Sequence, residues 1–289
     1  MIDVDFYVNS YKAINCGYNG NQLYFIPHIM LRKYISNYTL TYSSMDSNSD
    51  AKGRLSDDLV IIPDGSGCMI YSFNGEVLDE IFWGPTTKYV KVKKNNTTSN
   101  VKERMFFIEF LPGGIYALIG IPQRELVDLK CSIKEIDKKL SISLSDAIKS
   151  SKTIDELIFK VDRILIQRIE ENNKIDKRFL SFVNKIKATG GTMPVKKLAE
   201  GEYISERQLS RIFEKAIGLS PKMFFRVVRI NNAIKTYKAN NIFNFTYVSY
   251  DSGFYDQSHL IREFYQFCGT TPSNFINNMS DFYNEPFKF

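Results

Sequence analysis

The apolar positions of the chain follow two different periods. Between Leu23 and about Leu111, residues 23–29, 34–44, 58–65, 67–73 and 86–94 form short runs rich in Ile, Val, Tyr and Thr. They alternate in places with period two and are separated by Asp-Gly, Asn-Gly and Gly-Pro pairs, which predicts strands joined by turns. Tyr89, Val90 and Val92, set between lysines, read as an edge strand or half-exposed hairpin. Two polar stretches, 45–54 and 93–102, read as exposed loops. A further strand over 105–111 ends in Pro112-Gly113-Gly114 and leads into a short apolar helix.

Beyond Pro122 the period lengthens. Residues 125–136 and 143–151 read as short helices. A longer helix follows, with Thr153 as N-cap, Glu156 at capping-box spacing, and Ile154, Leu157, Ile158, Val161, Leu165 and Ile169 on one face. That stripe suits either a core face or a dimer seam. Polar residues 170–178 interrupt it and mark a domain boundary. An α+β chain is therefore expected: a β-rich, barrel-like domain with flanking helices over 1–172, and an all-α domain over 176–289.

The second part reads as one device used twice. A helix with Phe179, Phe182, Val183 and Ile186 on one face stops at Gly190-Gly191. Pro194 suits the first position of a short helix whose inner face is Val195, Leu198 and Ala199. After a turn, Ser205 is an N-cap, and Leu209, Ile212, Phe213 and Ala216 point one way while Arg207, Ser210 and Arg211 point the other. Gly218 ends this helix, and Ser220-Pro221 opens a helix running to about Asn240. Phe245, Val248 and Ser249 then mark another short helix, Gly253 a turn, and residues 257–267 a helix with Leu260, Phe264 and Phe267 inward. Gln257, Ser258, Ile261 and Arg262 face outward.

Those outward faces carry the chemistry of major-groove reading. An arginine fork matches two guanine acceptors, Gln matches adenine's donor and acceptor, and Ile can touch a thymine methyl. An ordinary charged surface would explain the first helix taken alone. His259 reads either as a satisfied, partly buried histidine or as a phosphate contact. Thr271 and Ser273, at the start of a last short helix, are candidate phosphate contacts. A spacer of about 20 residues spans about 30 Å, close to the roughly 34 Å of one duplex turn.

Charge sharpens this division. Of the net +6, residues 1–175 contribute nothing (22 basic, 22 acidic) and residues 176–289 contribute all of it (16 basic, 10 acidic). Only the C-terminal part is then suited to a polyanion, and double-stranded DNA is the expected partner. Four cysteines (Cys16, Cys68, Cys131 and Cys268) form no CxxC pair and the chain has two histidines, so reduced thiols are expected and neither a metal nor a cofactor. No run of 18 apolar residues is present, and the first residues lack a signal-peptide pattern, so a cytoplasmic protein without a membrane contact is expected. Asp57, Asp58, Asp64 and Cys131 stand apart from any histidine motif, and no catalytic residue is expected.

The residues 205–213, Gly218-Leu219-Ser220-Pro221, Asp251-Ser252-Gly253-Phe254, Gln257-Ser258-His259-Leu260, Arg262-Glu263-Phe264 and Gly269-Thr270-Thr271-Pro272 resemble the DNA-binding domain of the AraC/XylS family of bacterial transcription regulators. The resemblance covers residues 176–278. It implies base contacts by Arg207, Ser210 and Arg211 in the first unit and by Gln257, Ser258 and Arg262 in the second. The family has glycine in the first turn, where this chain has Tyr203, so a strained backbone or a different turn is expected there. It has Ile-Ala where this chain has Val248-Ser249. The motifs Ile62-Pro63-Asp64-Gly65, Trp83-Gly84-Pro85-Thr86, Phe110-Leu111-Pro112-Gly113-Gly114 and Leu118-Ile119-Gly120-Ile121-Pro122 resemble a β-rich sensor-like domain that precedes this DNA-binding domain in some members. That resemblance implies control by a small-molecule effector or by homodimerisation, with RNA polymerase as a further partner class. The rival reading is a co-regulator that works through protein contact and binds DNA weakly.

Overall fold

The computed structural model describes residues 16–19, 22–42, 58–74, 77–93, 104–172, 174–240 and 245–277. Among the described residues there are nine strands, six of them in the period-two runs and three (β1, β6 and β9) outside them: β1 (Cys16–Asn19), β2 (Gln22–Phe25), β3 (Ile35–Tyr42), β4 (Asp58–Ile61), β5 (Cys68–Asn74), β6 (Val77–Trp83), β7 (Val90–Lys93), β8 (Arg104–Phe110) and β9 (Lys130–Cys131). All pair antiparallel, seven in the order β1-β2-β3-β8-β5-β6-β9 and two as β4-β7. Val90 and Val92 lie on β7, an edge strand paired with the sequence-distant β4 rather than half of a hairpin.

Alternation decides which face of the large sheet is buried. Tyr38 and Leu40 on β3, Met69 and Tyr71 on β5, Phe82 on β6, and Phe106 and Ile108 on β8 are all nearly solvent-free. They pack against helices α3 (Lys138–Ser150) and α4 (Ile154–Asn172), which present Leu144, Ile148, Leu157, Val161 and Leu165. The stripe on α4 is thus core within its own chain. A polar tie fixes its register: the Tyr38 hydroxyl donates to Asp162 Oδ1 at 2.6 Å, and the His28 N–H donates to Oδ2 at 3.2 Å. Burial raises the Asp162 pKa, opposed by these two hydrogen bonds.

The structure revises several local expectations. Strand β1 precedes Leu23, a segment too short and mixed to show a period. Residues 125–136 do not form one helix. A 3-10 turn (Gln123–Glu125), Asp128 at φ +57°, strand β9 and helix α2 (Ile133–Ile136) share that span. Helix α3 begins at Lys138, capped by Asp137, whose carboxylate accepts from the Leu140 N–H at 3.0 Å. Thr153 does accept from the Glu156 N–H (3.1 Å), but the Glu156 carboxylate returns to Lys152 rather than to Thr153. The loop at 45–54 and most of 93–102 lie outside the described residues. The short apolar helix after Gly113 is α1 (Gly114–Ile119), buried along its whole length.

The helical part contains α5 (Phe179–Ala188), α6 (Val195–Glu200), α7 (Glu206–Ile217), α8 (Pro221–Asn240), α9 (Phe245–Asp251), α10 (Gln257–Cys268) and α11 (Pro272–Asn277). Pro194 is the N-cap of α6 rather than its first residue. Helix α8 serves two cores. Phe224, Phe225 and Val228 join Phe179, Phe182, Leu209 and Phe213 in one cluster. Val227, Ile230, Ala233, Ile234 and Tyr237 join Val248, Leu260, Phe264 and Phe267 in another. The sheet domain contributes one residue to each, Tyr116 of α1 to the first and Ile62 to the second.

Phe213 is the centre of the first cluster, its ring 5.3 Å from Phe179, 5.8 Å from Phe224 and 6.2 Å from Phe182. Phe213→Ala is expected to cost about 3–5 kcal/mol through lost burial and the cavity left behind. Denaturant unfolding of the full chain measures it, and a loss below about 1 kcal/mol would show that the cluster collapses around the gap.

Candidate nucleic-acid interface

Each candidate reading helix, α7 and α10, is anchored by a cap and by its inner face. For α7, the Ser205 hydroxyl accepts from the Gln208 N–H (3.2 Å), and the Gln208 side chain accepts from the Ser205 N–H (2.9 Å). This is a capping box that satisfies two otherwise open donors. Leu209, Phe213 and Ala216 are buried, and Ile212 is half-buried. Arg207 and Arg211 are exposed and Ser210 is half-exposed on the opposite face. For α10, Asp256 is the cap, accepting from the His259 N–H at 2.7 Å, a role the sequence reading did not assign. Leu260, Phe264 and Phe267 are buried, Gln257, Ser258 and Arg262 exposed, and Ile261 half-exposed.

Among the described residues, the guanidinium groups of Arg207, Arg211 and Arg262 enter no ion pair and no hydrogen bond. Arg226 and Arg229 on α8 behave differently. Both are largely covered, and both face Glu263, at 2.8 Å and 3.9 Å. The outward arginines keep all five donors available, which planar recognition of base edges or phosphates requires. Gln257 accepts a 3.3 Å hydrogen bond from the Thr246 hydroxyl, which sets its carbonyl oxygen toward α9.

The other candidates are less open. His259 is half-buried, its ring edge-on to Phe254 at 5.4 Å, and its Nδ1 accepts from the Tyr255 N–H at 3.4 Å. It stands as the partly satisfied histidine, turned toward its own helix. The Thr271 hydroxyl accepts from the Asn274 N–H at 3.4 Å and so caps α11, while Ser273 is exposed.

The two turns do not match in length. In the first, the Tyr203 N–H donates to Glu200 and the Ile204 N–H to Ala199; in the second, Gly253 donates to Tyr250 and Phe254 to Ser249. Tyr203 and Gly253 are therefore equivalent, and both are left-handed, at φ +54° and +74°. Glycine takes that conformation without strain, whereas a side chain costs about 1–2 kcal/mol. Tyr203 carries this strain with its ring 97% exposed, so no packing offsets it. The second turn holds one extra residue, Tyr255, before its cap.

A helix-turn-helix domain family of the AraC type matches residues 198–278, which span both units. Residues 198–278 are thus a helix-turn-helix domain of the AraC type. The chain is a DNA-binding transcription regulator. A second family model, a domain of unknown function (DUF6597), matches residues 24–132, the sheet. Among solved structures, ToxT from Vibrio cholerae is similar at 13% identity, covering 83% of this chain and 97% of its own, with a TM-score of 0.44. ToxT from Vibrio cholerae O395 bound to (E)-4-(8-methylnaphthalen-1-yl)but-3-enoic acid matches at 13% identity, 84% and 99% coverage and a TM-score of 0.44. The AraC-like transcriptional activator CuxR matches at 14%, 75% and 79%, with a TM-score of 0.19. No curated protein matches the chain.

The sheet domain leans on the back of both α7 and α10. Gly218, at the C-terminal end of α7, has no room for a Cβ because Val127 and the Gln123 carbonyl occupy the space. Gly269, at the end of α10, sits on the Tyr89 ring in the same way. Between the domains lies an open cleft of about 90 Å³. Asp64, Ser66 and Glu109 line it from the sheet side, and Lys187, Asn232 and Lys235 from the helical side. Burial lowers the Lys187 pKa, opposed by Asp64 and reinforced by Lys235. Sequence reasoning set Asp64 aside as an isolated carboxylate, because its partners lie more than 100 residues away.

Tyr203→Gly is expected to stabilise the protein by about 0.5–1 kcal/mol, the relieved strain less the added freedom of the unfolded chain. The melting temperature should rise accordingly, and a fall would mean that the exposed ring makes a compensating contact.

Proposed function

We propose that this protein is a sequence-specific transcription regulator that reads duplex DNA with α7 and α10. Arg207, Ser210 and Arg211 contact bases in one major groove, and Gln257, Ser258, Ile261 and Arg262 do so in the next. The observation that carries this reading is the set of exposed, unpaired arginines on two capped helices whose inward faces share one spacer. Helix α8, at 20 residues, spans about 30 Å, which suits two grooves on one side of the duplex. His259 and Thr271 are directed to their own helices, which leaves Ser273 as the phosphate candidate of the three.

Control enters through the sheet domain. The cleft between the domains is lined by mixed charges and amides, which suits a small polar effector bearing both a donor-rich and an acidic group. A ligand there would touch the spacer helix at Asn232 and Lys235 and the sheet domain at Asp64 and Ser66.

Arg211→Ala and Arg262→Ala are each expected to cost about 1–3 kcal/mol of specific binding, each flattening the base preference of one half of the site. Footprints after unbiased site selection would show it, and no change for either variant would overturn the docking. A direct-repeat site would mark two protomers side by side, and one asymmetric site a monomer. Affinity should also fall steeply with salt, with a log–log slope of about −0.9 per phosphate contact. A flat dependence would favour the co-regulator that acts through protein contact.

An effector at one hundred times its dissociation constant should stabilise the chain by about 2.7 kcal/mol, seen as a rise in melting temperature across a metabolite panel. Lys235→Ala should abolish the rise. No shift with any compound would leave the sheet domain a structural or dimerising one.

A further inference from the structure

Helix α10 is held by more than its apolar face. Arg226 Nε donates to Glu263 Oε1 at 2.8 Å, its Nη2 donates to Gln266 Oε1 at 2.5 Å, and its guanidinium lies 5.0 Å from the centre of the Phe267 ring. Arg229, one turn on along α8, places Nη2 3.9 Å from Glu263 Oε2 and stacks over Phe254 at 5.7 Å. His259 adds a contact of 3.8 Å between its Nε2 and Glu263 Oε1. The Glu263 side chain is only 12% exposed. The turn, the reading helix and the spacer therefore converge on one carboxylate. The first unit reaches the same place: a Cβ on Gly253 would collide with Thr192, and one on Gly191 would press on the Arg229 stem.

We infer that Glu263 is the positioning residue of the second reading helix, its carboxylate held by Arg226 and Arg229 so that α10 keeps one rotation about its axis and presents Arg262 and Ser258 to the groove. Successive residues of a helix are turned by about 100°, so fixing residue 263 against α8 fixes the azimuth of residue 262 and, one turn back, of residue 258. Apolar packing by Leu260, Phe264 and Phe267 resists separation of the helices but tolerates small rotations. The Arg226–Glu263 hydrogen bond, with its defined geometry, does not, while Arg229 at 3.9 Å adds its charge without a hydrogen bond. Recognition of a base edge needs placement to within about 0.5 Å, so the rotation is the quantity that matters for specificity. This role of Glu263 rests on the DNA-reading function proposed above.

The test is unbiased binding-site selection with the purified full chain, comparing wild type, Glu263→Gln and Gln266→Ala. Arg211→Ala and Arg262→Ala identify which block of the selected motif each unit reads. Glu263→Gln keeps the size of the side chain but removes its charge, and Gln266→Ala removes one of Arg226's two partners at a more exposed site. In the block read by Arg262, discrimination between right and wrong bases should fall from about tenfold or more per position to within about threefold for Glu263→Gln. The block read by Arg211 should be unchanged. Gln266→Ala should fall between wild type and Glu263→Gln. A merely structural role would lower the melting temperature and weaken both blocks together, and that result overturns the inference. So does a folded Glu263→Gln protein with full discrimination in both blocks. If Glu263→Gln fails to fold, Gln266→Ala decides in the same way. A wild-type chain that selects no motif would instead overturn the DNA-reading function itself.

Discussion

The DNA-facing side depends on one helix being buried on two sides. Helix α8 gives Phe224, Phe225 and Val228 to the core behind α7, and Val227, Ile230, Ala233, Ile234 and Tyr237 to the core behind α10. A helix that is apolar over most of its circumference cannot stand in water, so it recruits both units around it. Neither core can close without the other's spacer. The distance between the two reading helices is therefore a property of a packed interior, set at crystal-like density, rather than of a linker.

Polar groups then refine what packing allows. The three outward arginines lack partners within the described chain, whereas the two on α8 are consumed by Glu263, Gln266 and two aromatic rings. The same residue type thus serves two ends, and exposure decides which. Burial lowers the Arg229 pKa, opposed by Glu263 and reinforced by Arg226, so the pair of arginines is sustained by the carboxylate between them. Removing that carboxylate leaves two cations about one helical turn apart with less to hold them.

Much of this was legible in the sequence. Helix periods, the Ser205 cap, the inward faces of α7, α8 and α10 and the left-handed turn at Tyr203 all follow from local rules, because each is settled within about ten residues. What was not legible is non-local. Tyr116 and Ile62 lie in the sheet domain yet complete the helical cores. Asp64 meets Lys187 only after folding, and residues 125–136 carry apolar spacing that tertiary pairing with β6 overrides at β9. Glu263 looked like one more charge between Arg262 and Phe264, since the arginines that hold it lie 34 and 37 positions upstream on another helix.

The remaining step concerns how a signal could pass from sheet to DNA. A ligand shifts an equilibrium only by its differential affinity for two states, and one that touches both domains senses their relative placement directly. The cleft meets that requirement, since its walls are Asp64, Ser66 and Glu109 on one side and Lys187, Asn232 and Lys235 on the other. Asn232 and Lys235 lie on α8, the helix that both reading units share. A coupling of about 1–3 kcal/mol, the usual range, is comparable to a single base contact. A small tilt of α8 relative to the sheet would be felt first where the sheet backs the reading helices, at Gly218 against Val127 and Gly269 against Tyr89. At both glycines the sheet domain is in close contact with the C-terminal end of a helix, with no room for a Cβ. On the proposed function, the cleft and the faces of α7 and α10 are joined through α8 and these two contacts.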